Sequence, residues 1–314
     1  ETRDHNPVDL LASGIFAAHF INTVSPTFLN EIVDGRHDFV PAHIRGEFAH
    51  KVSAGCATGI LNAPDPHYDP RTDEALVRNY GPDNHVEGKR ANKLALQERL
   101  GLEPDEHAPL FFWPSRLDPV QKGCQLLTDI LFDVVSHYWQ DKLQIAVVAN
   151  GAYQGPFHDI VRFHDLYGRV AICNFQDPLS HLAYGASDFV LMPSLFEPCG
   201  LPQMIGAIYG SLPIVNDTGG PHDTVMHFDP TSGTGNGFAF RVYAADGLRW
   251  AIDEAMRFHR MPAATRDAHV TRVMKEGKQR FNHGVTARTY IDIYEEMLRR
   301  PIVDPLESSP QATP

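Results

Sequence analysis

Five short apolar runs, separated by longer amphipathic stretches from about residue 108 onward, constrain the fold of this chain most. Each run is nearly continuous in apolar residues, which is typical of strands buried on both faces of a parallel sheet. The predicted strands are 109–113, 143–149, 169–173, 188–192 and 212–215. The predicted helices that alternate with them are 122–139, 156–167, 178–186, 201–209 and 221–227. The alternation predicts a doubly wound, Rossmann-like parallel sheet of the α/β class.

The regions on either side of this sheet predict smaller units. Residues 16–32 predict one helix, one strand and the start of a second helix, with Ser25 or Thr27 as the N-cap. Residues 64–73 are polar and rich in proline, which is typical of a connector. Three further helices are predicted at 246–259, 264–280 and 285–299.

Composition excludes several classes of partner. A net charge of −12 and a pI near 5.7 disfavour nucleic acid and anionic membrane surfaces. The four cysteines form no CxxC pair, which argues against a disulfide framework and predicts a cytoplasmic location. The 17 histidines include no HxxxH or HExxH spacing, so we expect no metal site and no cofactor. No apolar stretch is long enough to predict a membrane span.

Two cations follow the first predicted strand, in "PSRLDPVQKG". Arg116 lies in the loop, and Lys122 lies six residues on, where the next helix begins. Two fixed positive charges beside a helix N-terminus suit a diphosphate, because the free backbone amides also favour negative charge. The alternative is that both are ordinary solvated basic residues.

Two further strand ends have polar or aromatic candidates. Phe175 follows the third strand, where an aromatic ring can stack on a nucleobase or simply pack in the core. Glu197 follows the fourth strand, in "FEPCGLPQM", beside the backbone of Cys199 and Gly200. A carboxylate next to free amides suits a sugar, which has both donors and acceptors, although a capped helix start would have the same residues.

A glycine-rich turn follows the fifth strand, in "NDTGGPHDTV". Thr218, Gly219 and Gly220 lead into a helix and form a candidate phosphate or sugar contact. The carboxyl ends of parallel strands share one edge of a sheet, so these loops are expected to converge. Together they provide cations, an aromatic ring, an acid with amides and a Gly-Gly turn. This combination predicts a nucleotide-sugar site.

The chain also resembles the bacterial glycogen synthases and plant starch synthases. The resemblance rests on blocks that occur in the family's order over residues 16–299: "NTVSPTFLNEI", "GILNAPDPHYDPRTD", "KRANKLALQERLGL", "SRLDPVQKG", "DFVLMPSLFEPCGLPQM", "YGSLPIVNDTGGPHDTV" and "YIDIYEEML". These are retaining glucosyltransferases of the GT-B type, with two Rossmann-like domains that face a cleft. The resemblance implies transfer of glucose from ADP-glucose to the non-reducing end of an α-1,4-glucan, without a metal.

The resemblance also implies roles for individual residues. Arg116 and Lys122 would bind the donor diphosphate, and Glu197 would lie beside the donor glucose. The residues with implied donor-binding roles are Asn62, Phe175, Cys199, Gly200, Leu201, Thr218, Gly219 and Gly220. Phe175 stands where the family has a stacking tyrosine, and Pro221 and His222 replace small or apolar residues, so ADP-glucose and UDP-glucose both stay open as donors.

The resemblance predicts a division of the chain into five units. They are an incomplete end of the amino-terminal domain (1–66), a linker (67–88), the nucleotide-sugar-binding domain (89–283), a packing helix (284–300) and a disordered tail (301–314). The resemblance implies that only the end of the family's amino-terminal domain, which binds the acceptor glucan, is represented in this sequence, without its Lys-x-Gly-Gly-Leu loop and acceptor-side histidine. We therefore expect this chain to bind nucleotide without transferring glucose alone.

Two alternatives stay open on the sequence alone. Relatives that make sucrose, trehalose or another small glucoside have a second glutamate eight residues after the first, where this chain has Ile205. A non-catalytic module that binds nucleotide sugars would also lack half of the cleft. Glucosyl transfer by a full-length parent distinguishes the enzyme from the binding module.

Overall fold

The computed structural model describes residues 9–302 and contains two parallel sheets. The strands are β1 (Ile21–Thr23), β2 (Ala57–Gly59), β3 (Leu110–Trp113), β4 (Gln144–Val148), β5 (Val170–Cys173), β6 (Phe189–Met192), β7 (Leu212–Asn216) and β8 (Phe238–Phe240). The large sheet has the order β5-β4-β3-β6-β7-β8, and all its neighbouring strands are parallel. The doubly wound α/β prediction is confirmed.

Helices cover both faces of the large sheet and surround the small one. They are α1 (Leu10–Ala17), α2 (Pro26–Val33), α3 (Ala42–Ser53), α4 (His85–Leu100), α5 (Cys124–His137), α6 (Gln154–Phe163), α7 (Asp177–Ala186), α8 (Pro202–Tyr209), α9 (Gly219–Thr224), α10 (Ala245–His259), α11 (Ala263–Arg280) and α12 (His283–Leu298). The five predicted strands and the eight predicted helices that follow residue 108 are all present, within a few residues of their expected bounds. Helices α3 and α4 and strands β2 and β8 were not predicted.

The core of the large sheet forms because its strands are apolar on both faces. All four residues of β3 are buried, and so are all four of β6. Phe111 and Phe189 lie on these neighbouring strands with their ring centroids 4.8 Å apart. Burying such side chains contributes about 1.5–3 kcal/mol each, so this sheet is the main source of stability.

The front of the chain forms a small unit around the sheet of β1 and β2, whose core contains Leu29, Ile32, Ile44 and Phe48. Ser25 is the N-cap of α2, because its Oγ accepts a hydrogen bond from Phe28 N at 3.0 Å. The N-cap prediction is therefore confirmed for Ser25 rather than Thr27.

The segment between β2 and α4 has no regular structure but is anchored to helices α7 and α8, which cover the large sheet. The Tyr80 hydroxyl donates to the carbonyl of Tyr209 at 2.8 Å, and Asp73 is bonded by both His181 and Tyr209. Helix α4 begins at His85, inside the range predicted as linker. Most of the predicted tail, 303–314, lies outside the described residues, and the division into five units stays a prediction.

The described residues include neither a membrane-spanning helix nor a metal-binding cluster. Between residues 9 and 302 no helix combines the length and the apolar character needed to cross a membrane. Across the same range no group of three or more His, Cys, Asp or Glu side chains is arranged to bind a metal ion.

Candidate active site

The candidate site lies where the strand order of the large sheet reverses. The chain proceeds from β3 outward to β4 and β5, then returns to β6 on the other side of β3. The loops after β3 and β6 therefore leave the same edge side by side, which is where open α/β sheets bind ligands. Arg116 and Lys122 follow β3, and Glu197 follows β6, so the topology brings the loops of all three to this edge.

Lys122 and Glu197 form an ion pair at the centre of this edge. Lys122 Nζ lies 2.5 Å from Glu197 Oε2, and the Ser194 hydroxyl donates to the same oxygen at 3.1 Å. The two charged side chains are only 12% and 9% exposed, so water screens their attraction weakly. Within residues 9–302, no group donates a hydrogen bond to the other oxygen, Oε1, and Lys122 Nζ has no second acceptor. Both groups therefore keep hydrogen-bonding capacity for a ligand.

Backbone contacts fix the two loops against each other. Leu195 N donates to Gln121 O at 2.8 Å, one residue before Lys122. Gly123, with φ +71°, lies so close to Pro193 that a Cβ there would come within 1.9 Å of the Pro193 carbonyl oxygen. Because only glycine fits this approach, the sequence "QKG" sets the position of the lysine.

The Thr218–Gly220 turn packs directly on the Glu197 loop. Gly220 N donates to the Glu197 carbonyl at 2.9 Å, and a Cβ on Gly220 would come within 1.8 Å of the Cys199 carbonyl oxygen. Thr218 and Gly219 also use their donors within the chain, because both bond to Glu31 Oε1, at 2.9 and 3.0 Å. The turn thus shapes the loop, and these three donors would reach a ligand only by exchanging partners.

The backbone N–H groups of Cys199, Gly200 and Leu201, unlike the donors of the Thr218–Gly220 turn, are free to bind a ligand. None of them donates a hydrogen bond to another group between residues 9 and 302. Gly200 has φ +70°, which directs successive amides to one side of the chain and favours anionic or hydroxyl oxygens. Burial raises the pKa of the Cys199 thiol to about 11, so the sulfur is a neutral packing group. The backbone of Asn62 lies near enough to this thiol to oppose the rise in its pKa, which places this predicted residue at the same corner.

Arg116 and Phe175 lie in the loops that follow β3 and β5, in the half of the sheet formed by β3, β4 and β5. Arg116 is exposed, and its side chain makes no hydrogen bond or ion pair within the described part of the chain. Leu117 N bonds Asn150 O at 2.9 Å, and Phe175 N bonds Asn150 Oδ1 at 3.0 Å, so one asparagine joins the two loops. Phe175 is 47% exposed, which leaves its ring open to solvent rather than packed in the core.

Two carboxylates of this edge, Glu31 and Asp223, were not predicted from the sequence. Glu31 of α2 is buried, bonds the glycine turn, and pairs with His37 Nε2 at 3.1 Å. In the opposite direction, Asp223 of α9 accepts hydrogen bonds from the Ser25 hydroxyl at 2.5 Å and from Thr27 N at 3.1 Å. Each helix thus has a carboxylate from the other at its N-terminal end, which attaches the small unit to the site. Their partners lie nearly 200 residues away, so local spacing gives no signal for them.

Comparison with known proteins agrees with this architecture. The chain is 34% identical over 294 residues to the glycogen synthase of Acholeplasma laidlawii, covering 93% of this chain and 59% of that protein. It is 39% identical over 260 residues to the glycogen synthase of Exiguobacterium sibiricum, covering 81% of this chain and 51% of that one. No family model matches the chain.

Among solved structures, the catalytic domain of starch synthase IV from Arabidopsis thaliana, bound to ADP and acarbose, aligns with a TM-score of 0.78. The sequence identity is 29%, and the alignment covers 92% of this chain and 58% of that one. The Rossmann-like sheet and its helices are those of a GT-B glycosyltransferase domain. The chain belongs to the glycogen synthase and starch synthase family, and it spans about 60% of the length of the relatives first compared.

Proposed function

We propose that this chain is the donor-binding part of a retaining glucosyltransferase of the glycogen and starch synthase type. The donor would be ADP-glucose, with UDP-glucose as the alternative, and the acceptor an α-1,4-glucan. The observation that supports this most is the buried Lys122–Glu197 pair beside the unpaired amides of Cys199, Gly200 and Leu201. This arrangement offers a positive charge, a carboxylate and several amides to one bound molecule.

In the proposed complex, Lys122 and Arg116 bind the diphosphate of the donor. Glu197 Oε1, which has no donor within residues 9–302, accepts from glucose hydroxyls, and the amides of Cys199 to Leu201 donate to sugar or phosphate oxygens. Asn62 approaches the glucose from the side of the small unit, and the exposed ring of Phe175 stacks on the base. The Thr218–Gly220 turn supports these groups from behind.

The proposed reaction breaks the bond between glucose C1 and the diphosphate oxygen and forms a bond from C1 to the acceptor 4-hydroxyl oxygen. The acceptor proton passes to the departing diphosphate on the same face of the sugar. Lys122 and Arg116 stabilise the negative charge that develops on that leaving group, which is electrostatic catalysis by groups fixed before the reaction. No residue of the site is needed as a base, and a cytoplasmic location fits this chemistry.

Calorimetric titration with ADP, ADP-glucose and UDP-glucose tests the proposal. Lys122→Ala should weaken ADP binding by about 1.5–3 kcal/mol, since it removes a charge-assisted contact to phosphate. Lys142→Ala is the matched control, because Lys142 also pairs with a carboxylate, Asp105, but precedes the amino end of β4, at the sheet edge opposite the site loops. Unchanged ADP affinity in Lys122→Ala would remove this lysine from the site, and no binding of any of the three ligands would refute the function.

Transfer of radiolabelled glucose to glycogen tests the second part of the proposal. A complete GT-B cleft has a second wall that positions the acceptor and excludes water. We therefore expect these 314 residues to bind ADP-glucose without incorporating glucose, and a parent chain with both walls to incorporate it. Incorporation by the 314 residues alone would contradict the need for a second wall.

A further inference from the structure

A second cavity lies beside β8, the edge strand of the large sheet. This groove has a volume of about 830 Å³, within the range of about 300–1,000 Å³ that is usual for ligand sites. It lies between α9, strand β8 and the start of α10, and we call it the Trp250 groove. Its wall includes Asp217, His222, His227, Arg241, Val242 and Trp250. None of the residues predicted from the sequence for donor binding lines it.

The floor of the groove is an aromatic stack. Trp250 is 44% exposed, and one face of its ring stacks on His227 with the centroids 5.1 Å apart and the planes 18° apart. The Ala239 N–H donates to His227 Nδ1 at 3.2 Å, which fixes the orientation of the imidazole. Because one face of Trp250 is covered, its exposed area belongs to the opposite face and the ring edges. Val242, 68% exposed, extends this apolar floor.

The segment that holds the stack is anchored from within the protein. Asn236 is buried and donates to Thr224 O at 2.9 Å, and its side-chain oxygen accepts from Met226 N at 2.7 Å. Asn236 N also donates to Met226 O at 2.9 Å, immediately before His227. The glycine-rich sequence "SGTGNG" (232–237) therefore contains a structural asparagine, Asn236, that fixes the wall of the groove before any ligand binds, which favours affinity.

The rim of the groove nearest the candidate site is polar. The Asp217 carboxylate pairs with His222 Nδ1 at 2.7 Å and with Arg241 Nε at 3.1 Å. Both partners are largely exposed, with His222 at 52% and Arg241 at 87%, so each keeps ring or guanidinium N–H groups for a ligand. An aromatic floor beside alternating donors and acceptors matches a sugar, whose ring has apolar C–H faces and an equator of hydroxyls.

We propose that the Trp250 groove binds an α-1,4-glucan chain. Asp217 directly precedes Thr218, so the groove opens next to the turn that supports the donor-glucose loop. A glucan seated on Trp250 would hold the polymer beside the site and raise its local concentration there. The inference rests on the proposed function for its choice of glucan, but the groove and its chemistry are separate from the Lys122–Glu197 site.

Titration of the full chain with maltoheptaose, by calorimetry and tryptophan fluorescence, tests this assignment. Trp250→Ala should weaken maltoheptaose binding at least tenfold, and Val242→Asp, an exposed position where a fold defect is not expected, at least threefold. Trp139→Ala is the matched control, since Trp139 is 40% exposed but lies over Arg169, outside the groove. Maltoheptaose binding that is equal in Trp250→Ala and the wild type, or absent in the wild type, overturns the proposal.

Parallel ADP titrations separate this inference from the proposed function. The groove variants should keep wild-type ADP affinity, and Lys122→Ala should keep wild-type maltoheptaose affinity. Trp250-dependent glucan binding without any nucleotide binding would refute the proposed function and leave the groove in place. Nucleotide binding without Trp250-dependent glucan binding would refute the assignment of the groove and leave the proposed function in place.

Discussion

Strand β6 has a lysine–carboxylate pair at each end, and the two pairs differ in what else they bind. At the amino end, Lys93 Nζ lies 2.6 Å from Asp188 Oδ2. Lys93 also donates to the Ala108 carbonyl, and Asp188 accepts from Leu110 N, both at 2.8 Å. This pair therefore attaches α4 to the backbone at the start of β3. Removing either charge would leave backbone groups without partners.

At the carboxyl end, the charged atoms of the Lys122–Glu197 pair bond no backbone group within residues 9–302. In the same range, apart from each other, these charged atoms bond only the Ser194 hydroxyl. Two largely buried lysine–carboxylate pairs with nearly equal distances therefore differ in the groups that they bond. A charged pair bonded to backbone groups stabilises the fold, whereas one bonded only to side chains can exchange partners when a ligand arrives.

Unfolding in urea should separate the two pairs most clearly. We expect Lys93→Met to lower the free energy of unfolding by about 3–5 kcal/mol, because it leaves both the Asp188 carboxylate and the Ala108 carbonyl without their lysine partner. Lys122→Met should lower it less, by about 2–3 kcal/mol, because it leaves the Glu197 carboxylate unpaired but takes a partner from no backbone group. Lys142→Met, at an exposed pair, serves as control and should change it by less than about 1 kcal/mol. Equal losses at Lys93 and Lys122 would invalidate the distinction.

The amino-end pair should also determine part of the acid sensitivity. Burial by itself would raise the pKa of Asp188, but the charge and hydrogen bond of Lys93 outweigh burial and lower this pKa. The unfolded state then binds the proton more readily, so the stabilisation is present above the ordinary pKa of an aspartate, about 3.9, and is lost as the pH falls through the lower folded value.

Stability measured from pH 6 down to pH 2 checks this pKa shift. Asp188→Asn and Lys93→Met should each flatten the decline of unfolding free energy in the same interval below pH 4, by at most about 1.4 kcal/mol per pH unit for one proton. A decline as steep as that of the wild type in both variants would show that other carboxylates dominate.

The large sheet was predictable because its strands are apolar on both faces, which is visible in any short window of sequence. Helix α4 was not, because it buries polar residues toward the sheet. Lys89, Asn92 and Gln97 are all buried, and Lys89 alone donates to the carbonyl of Tyr209 and the hydroxyl of Ser211, each at 3.0 Å. A helix whose inner face hydrogen-bonds instead of packing shows no apolar period.

The candidate site was predictable to the extent that its residues follow strands. Lys122 and Glu197 could be placed at one edge from the βα alternation alone. The sequence did not reveal that the Gly219 N–H donates to the Glu31 carboxylate and the Gly220 N–H to the Glu197 carbonyl. Such bonds join segments that are far apart in the chain, and only the folded structure brings them together.

Glu31 is intermediate between the two lysine pairs, because it bonds one hydroxyl, one histidine and a single backbone amide, that of Gly219. Glu31→Gln keeps an oxygen for that amide, so we expect a loss of only about 0.5–1 kcal/mol in unfolding free energy. Glu31→Ala leaves the amide unpaired and should cost about 1–3 kcal/mol. Calorimetric unfolding of both variants measures the difference. If Glu31→Gln lowers the unfolding free energy as much as Glu31→Ala, the negative charge of Glu31, rather than its hydrogen bond to the Gly219 amide, stabilises the turn. The distinction between pairs that bond backbone groups and pairs that do not would then not extend to Glu31.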